Sequence, residues 1–340
     1  MQAPSFVSKV MPTMKSLKYS DISLTPRYSE CRSRDDCDTA VTINDHVFKL
    51  PVLPANMKAV IDMNLARWLS ENDYFYIMHR FDSLICDNIG LANSQNWKTI
   101  SFSVGVKEED RKIIEDIKRH DLRVDFLTID IAHGHSSLMR DMLLHCRKCL
   151  GKDVCIIAGN VCPPAAVVAL NKWGADYVKV GIGQGSPCTT KDKTGFTMPM
   201  FSCVMACSDV YSSHKSFTEG SRIPIIADGG IKSHGDIAKA LVAGADLVMA
   251  GSLFASCVDS PAATIAVDGA FHKVYFGSAS YENKQNPRHI EGVLKNIPSS
   301  GLTLEEKLFE IREDLQSSIS YAGGSNLKAL GRRAVDYCIL

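Results

Sequence analysis

From about residue 52 the chain repeats one unit: a short apolar run, a polar loop holding Gly, His or Asn, then an amphipathic segment. The runs are Val52-Leu-Pro-Ala55, Phe75-Tyr-Ile-Met78, Ile100-Ser-Phe-Ser-Val104, Phe126-Leu-Thr-Ile129, Val154-Cys-Ile-Ile-Ala158, Tyr177-Val-Lys-Val180, Pro224-Ile-Ile-Ala227 and Leu247-Val-Met-Ala250, starting roughly every 25 to 30 residues. Apolar runs alternating with amphipathic segments predict an α/β fold with a parallel sheet. Eight runs suggest closure into a (β/α)8 TIM barrel, and 340 residues are enough for one such domain. A doubly wound open sheet has the same periodicity, so it stays the competing architecture.

The flanks do not follow the repeat. Residues 15–50 form an N-terminal lead-in with a hairpin expected around Val41-Thr-Ile-Asn-Asp-His-Val-Phe48. Residues 271–300 read as a flap: a short strand, Lys273-Val-Tyr-Phe276, then a polar stretch without period to Ser300. Leu304, Leu308, Ile311, Leu315 and Ile319 then recur at helical spacing up to Gly323-Gly324, predicting a C-terminal helix. Inside the repeat, Ser233 and Asp236 have the form of a capping box before the apolar face Ile237, Ala240 and Leu241, and Gly244 can end that helix. Residues 1–14 carry Lys9 and no acid and are expected to be a disordered leader, leaving 15–340 as one barrel domain.

Composition excludes some partners. The net charge is +0 and no apolar run approaches the length of a membrane span, so neither a nucleic-acid nor a membrane partner is indicated and the ligands are expected to be small. Twelve cysteines without regular spacing point to free thiols in a reducing compartment, hence a cytoplasmic protein. Cys146-Arg-Lys-Cys149 lacks the second ligand pair that zinc requires.

In a barrel the loops after the strands build the active face. They contain Asn56-Met57, His79-Arg80, Asp130 with His133 and His135, Gly159-Asn160, Asp228-Gly-Gly230 and Gly251-Ser252. The two glycine turns after the last two runs suit phosphate, and Asp228 would be free to hold a ribose hydroxyl. His133 and His135 read as loop histidines that bond the backbone. After the sixth run, Gly181-Ile-Gly-Gln-Gly-Ser-Pro-Cys188-Thr-Thr190 delivers a cysteine on a glycine-rich loop. It is either a plain turn with a buried thiol or the seat of a nucleophile that attacks an electrophilic carbon.

The loop Gly183-Gln-Gly-Ser-Pro-Cys188-Thr-Thr190 with Lys193-Thr-Gly195, Ile226-Ala-Asp-Gly-Gly230, Val248-Met-Ala-Gly-Ser252 and Tyr275-Phe-Gly-Ser-Ala-Ser280 resembles the IMP dehydrogenase/GMP reductase family. The similarity runs from about Tyr19 to Tyr337 and includes Pro54-Ala-Asn-Met57, Ile129-Asp-Ile-Ala-His-Gly-His135 and Asp314-Leu-Gln-Ser-Ser-Ile-Ser-Tyr-Ala-Gly323. The two activities of that family share a cysteine bonded to purine C2. Dehydrogenases usually carry paired CBS domains where only Arg80 to Thr99 lies here, and an Arg-Tyr pair in the flap that residues 278–300 lack. Arg288-His-Ile-Glu291-Gly292 instead matches the reductase pattern, in its bacterial form.

The resemblance therefore implies NADPH-dependent conversion of GMP to IMP and ammonia, with Cys188, Thr190 and Glu291 as the catalytic residues. It implies GMP contacts from Ser186, Asp228, Gly229, Gly230, Gly251, Ser252, Gly277, Ser278, Arg288 and Gly292. NADPH would lie along Arg80, Asp130, Ala132, Ile182, Gly183, Ser317, Ser318 and Ser320. Potassium would be held by the carbonyls of Gly183, Gly185 and Cys188, and the assembly would be a homotetramer. Gln184 and Pro187 depart from the family pattern by moving the proline within the loop. A dehydrogenase without CBS domains, a flavin-dependent barrel and a purine-nucleotide sensor that has lost turnover remain the rival readings.

Overall fold

The computed structural model describes residues 16–213 and 222–340, so the expected leader at 1–14 lies outside the described residues. Seven strands form one parallel sheet: β1 (Val52–Pro54), β2 (Ser101–Val104), β3 (Phe126–Asp130), β4 (Cys155–Val161), β5 (Tyr177–Val180), β6 (Ile225–Asp228) and β7 (Leu247–Ala250). Their order is β1-β7-β6-β5-β4-β3-β2. A doubly wound sheet reverses direction from a central strand. Here the order never reverses and the first strand pairs with the last, Val52 opposite Val248, which decides for the barrel.

The apolar run at 75–78 supplies the remaining position without forming a full strand. Met78 bridges Phe102, and its amide donates to the Ser101 carbonyl at 3.1 Å. The strands read as continuous apolar runs because nearly every residue in them is buried, as expected where helices cover the sheet from outside and packed side chains fill it from inside.

The helix His234–Val242 begins on the expected capping box of Ser233 and Asp236, and Gly244 follows it in the left-handed region at φ 108°. The expected hairpin forms from Val41–Ile43 and His46–Phe48. Ile22–Leu24 pairs antiparallel with Tyr337–Ile339, tying the lead-in to the far end of the chain. The C-terminal helix Leu304–Tyr321 buries all five residues of the predicted stripe.

The flap differs from its sequence reading. Thr264–Val267 (β8), Ala270–Phe276 (β9) and Leu294–Pro298 (β10) make a three-stranded antiparallel sheet. Four of the five β10 residues are exposed, so the strand is held by its ladder to β9 rather than by a buried face. That is why no alternation marks it in the sequence.

Candidate active site

A cavity of about 450 Å³ opens where the strands end, lined by the loops after β1 and β3 to β7, by Arg80 and by the flap. Cys188 stands on its wall, half-buried. Its thiol donates to Thr190 Oγ1 at 3.2 Å, and that hydroxyl donates to Glu291 Oε2 at 2.6 Å. Three residues drawn from a loop and a flap 101 positions further on thus form one hydrogen-bonded chain.

Backbone pairing brings Glu291 there. The Thr189 amide donates to the Glu291 carbonyl and the Val293 amide to the Pro187 carbonyl, both at 2.9 Å, around a Cys188–Gly292 bridge. The Glu291 amide bonds the Ala279 carbonyl at 3.0 Å, and Lys193 Nζ donates to the Ile290 carbonyl at 2.6 Å. Pro187, one of the two departures from pattern, is therefore part of the seam between loop and flap. Gln184, the other, donates to Thr197 Oγ1 at 2.6 Å, and that hydroxyl donates to the Ile182 carbonyl at 2.9 Å, bracing the glycine turn.

Lys179, the inward-facing third residue of β5, organises the cavity floor. Its side chain is 4% exposed, and Nζ lies 2.8 Å from both Asp130 Oδ1 and Asp228 Oδ2. Asn160 Nδ2 also donates to Asp228 Oδ2 at 2.8 Å, and Arg80 Nε stands 3.8 Å from Asp130 Oδ2. Burial by itself disfavours the Lys179 charge, but Asp130 and Asp228 outweigh it and hold the ammonium above the ordinary lysine value. Burial likewise opposes the Asp130 charge, and Lys179 and Arg80 overcome it to hold that carboxyl below the ordinary range.

The turn after β7 is tight. A Cβ on Gly251 would fall 2.2 Å from Tyr275 Oη, and burial holds that phenol above its ordinary pKa, so Tyr275 stays a neutral donor. Gly251→Ala is therefore expected to cost about 1 to 3 kcal/mol through overpacking. Urea melts of Gly251→Ala, Tyr275→Phe and the double variant measure it, and the alanine should cost less once the hydroxyl is gone.

Of the residues expected from the sequence, Cys188, Thr190, Glu291, Ser186, Asp228, Gly229, Gly230, Gly251, Ser252, Gly277, Ser278 and Gly292 all line this cavity. So do Arg80, Asp130, Ala132, Ile182, Gly183 and Gly185. Arg288 is exposed on the flap and is not among the lining residues; Lys284 lines the wall and donates to the His289 carbonyl at 2.7 Å. Ser317, Ser318 and Ser320 lie on the C-terminal helix, away from the lining, where Ser317 Oγ accepts from Arg34 at 3.2 Å. His135 tilts against Trp173 with ring centroids 5.9 Å apart, and burial followed by His133 lowers its pKa.

Sequence reasoning missed Lys179, Tyr275 and Lys284. Only Lys179 had a readable signal, a lysine inside an otherwise apolar buried run, where an unpaired charge is not tolerated.

The model of the IMP dehydrogenase / GMP reductase domain matches residues 16–336. The chain belongs to the IMP dehydrogenase/GMP reductase family. It is 46% identical over 331 residues to a GMP reductase of Leptothrix cholodnii, covering 96% of this chain and 97% of that protein. It is 45% identical over 331 residues to a GMP reductase of Mesoplasma florum, with 96% and 98% covered. It is also 45% identical over 326 residues to the GMP reductase of Bacillus subtilis, with 95% of each chain covered. Among the described residues no helix is long and apolar enough to cross a membrane.

Proposed function

We propose that the chain is a GMP reductase, converting GMP and NADPH to IMP, ammonia and NADP. The observation that carries this reading is the Cys188–Thr190–Glu291 chain, because it joins a nucleophile to an acid–base pair at one point of a nucleotide-sized cavity. A proton leaving Cys188 has a path through Thr190 to Glu291. The thiolate then adds at purine C2, and the same path in reverse delivers the proton with which the C2 amine departs as ammonia. When bound, NADPH supplies the hydride that replaces sulfur at C2, and Cys188 leaves as thiolate.

Asp228, held by Lys179 and Asn160, accepts from the ribose hydroxyls, while Gly229, Gly230, Gly251, Ser252 and Ser186 turn amides and hydroxyls toward the phosphate. Gly277, Ser278 and Gly292 close the flap side of GMP, with Arg288 brought in by movement of the flap. The dinucleotide fits the end lined by Arg80, Asp130, Ala132, Ile182 and Gly183. Arg80 lines that end and stands 3.8 Å from Asp130, and its guanidinium supplies the positive charge that a dinucleotide phosphate takes. Ser317, Ser318 and Ser320 would meet the far end of the dinucleotide.

The carbonyls of Gly183, Gly185 and Cys188 offer the hard oxygen donors that potassium takes. Gly183 turns at φ 76°, and the Gly185 carbonyl keeps one lone pair beyond the Cys188 amide it accepts at 3.0 Å. A cation there would brace the nucleophile's loop. The working assembly is a homotetramer, a state that size-exclusion chromatography with light scattering measures.

Incubation with GMP and NADPH is expected to release ammonia and consume the reduced cofactor in equal amounts. Oxidation of IMP by NAD without that ammonia release would overturn the assignment. Glu291→Gln keeps the hydrogen-bonding shape and loses the acid, so kcat should fall by about 10² to 10⁴ with GMP affinity little changed.

A further inference from the structure

A second cysteine site lies in the lead-in, outside the cavity. The chain folds back through a short turn at Arg34–Asp36, where the Cys37 amide donates to the Arg34 carbonyl at 2.9 Å. The turn brings the sulfurs of Cys31 and Cys37 to 3.6 Å. Cys31 is half-buried and Cys37 buried, while every residue from Arg32 to Asp36 between them is exposed. Closing to the bond length of about 2.05 Å therefore falls mainly on an exposed turn, with Cys37 the core residue that shifts. Burial, then the Cys31 contact, pushes the Cys37 thiol up to about 11, so Cys31 is the sulfur that an oxidant meets first.

The same turn is strapped to the end of the C-terminal helix. Arg34 donates to Ser317 Oγ at 3.2 Å and to Tyr321 Oη at 3.4 Å. Gln316 Nε2 donates to the carbonyls of Asp35 at 3.3 Å and Cys37 at 3.1 Å. Cys37 Sγ reaches the Gly324 carbonyl at 3.9 Å, and the Asp38 amide donates to the Ser325 carbonyl at 2.8 Å. Moving Cys37 Sγ toward Cys31 takes it off Gly324, so the helix end feels the state of the pair.

We propose that Cys31 and Cys37 are a reversible oxidation site, closed to an intramolecular disulfide by a peroxide and reopened by a thiol, with the change carried to Ser317–Tyr321. Peroxide converts the Cys31 thiol to a sulfenic acid and leaves as water. The Cys37 sulfur then attacks the Cys31 sulfur, the S–O bond breaks, and a second water departs with the Cys37 proton. Each sulfur gives up one electron, and the peroxide is reduced by two.

The test treats the full chain with hydrogen peroxide near one equivalent, alkylates the remaining thiols and maps tryptic peptides without reduction. Cleavage at Arg32 and Arg34 makes the product two peptides joined by the disulfide. The expected result is that linked pair in wild type, its return to two free thiols after dithiothreitol, and its absence in Cys31→Ser. Hydrogen exchange over Ser317–Tyr321 should change on oxidation in wild type and not in Cys31→Ser. The site is refuted if Cys31 is recovered as a sulfinic acid beside an alkylated Cys37. It is equally refuted if both are recovered as free thiols once Cys188 has been oxidised. A linked pair with unchanged exchange in both proteins overturns the connection to the helix.

Discussion

Cys188→Ala is expected to abolish turnover, by at least about 10⁴-fold in kcat, while GMP still binds. The argument is chemical. Without sulfur no covalent bond forms at C2, and the amine has no route out at neutral pH. Two other effects are smaller. Thr190 keeps its 2.6 Å bond to Glu291, so the acid stays in place, and the half-buried thiol leaves only a small gap. The variant should therefore fold with stability within about 1 kcal/mol of wild type. Calorimetric titration with GMP and steady-state assay measure the two halves. Turnover within tenfold of wild type would remove Cys188 from the mechanism, and loss of GMP binding would give it a role in the ground state.

What could be read from the sequence was whatever burial writes into it. The barrel runs were legible because strands covered on both faces cannot carry exposed polar residues. Closure was not legible, since an open sheet has the same periodicity; it rests on Val52 lying opposite Val248. The strand Leu294–Pro298 was invisible because its backbone holds it and its side chains face water.

The candidate site divides the same way. Cys188 stood out by residue type and Glu291 only by resemblance, but the pairing of Thr189 with Glu291 and Val293 with Pro187 that joins them is made by backbone groups. Lys179 was readable as a charge inside a buried apolar run, but its two carboxylate partners come from other strands, so the sequence does not say what it pairs with. Ser317 was legible only through resemblance, and it bonds Arg34 rather than lining the cavity.

Loop and flap also depend on each other. Glu291 reaches Thr190 only while Gly292 lies against the flap's own turn, and a Cβ at Gly292 would come 2.9 Å from the Ser280 amide nitrogen. The Thr190–Glu291 hydrogen bond therefore rests on the seam between loop and flap.

Lys179→Met is expected to destabilise the fold by about 3 to 5 kcal/mol at neutral pH, because it takes away the ammonium shared by the buried Asp130 and the half-buried Asp228. Arg80 at 3.8 Å from Asp130 and Asn160 at 2.8 Å from Asp228 soften the loss without replacing the charge. The pH dependence distinguishes this cause from lost packing. Asp130 is held below its ordinary pKa, so its contribution is present above about pH 4 and fades as pH falls through the folded value. Lys179 is held above its ordinary pKa, so its contribution is complete below about pH 10 and fades only as pH rises through the folded value. In wild type the network is thus intact across the neutral range. In the variant Asp130 loses the larger of its two cationic partners and takes up a proton more readily, so the stability difference should shrink as pH falls from 7 toward 4. Urea melts of both proteins at several pH values measure it, and a difference independent of pH would reduce Lys179 to a packing residue.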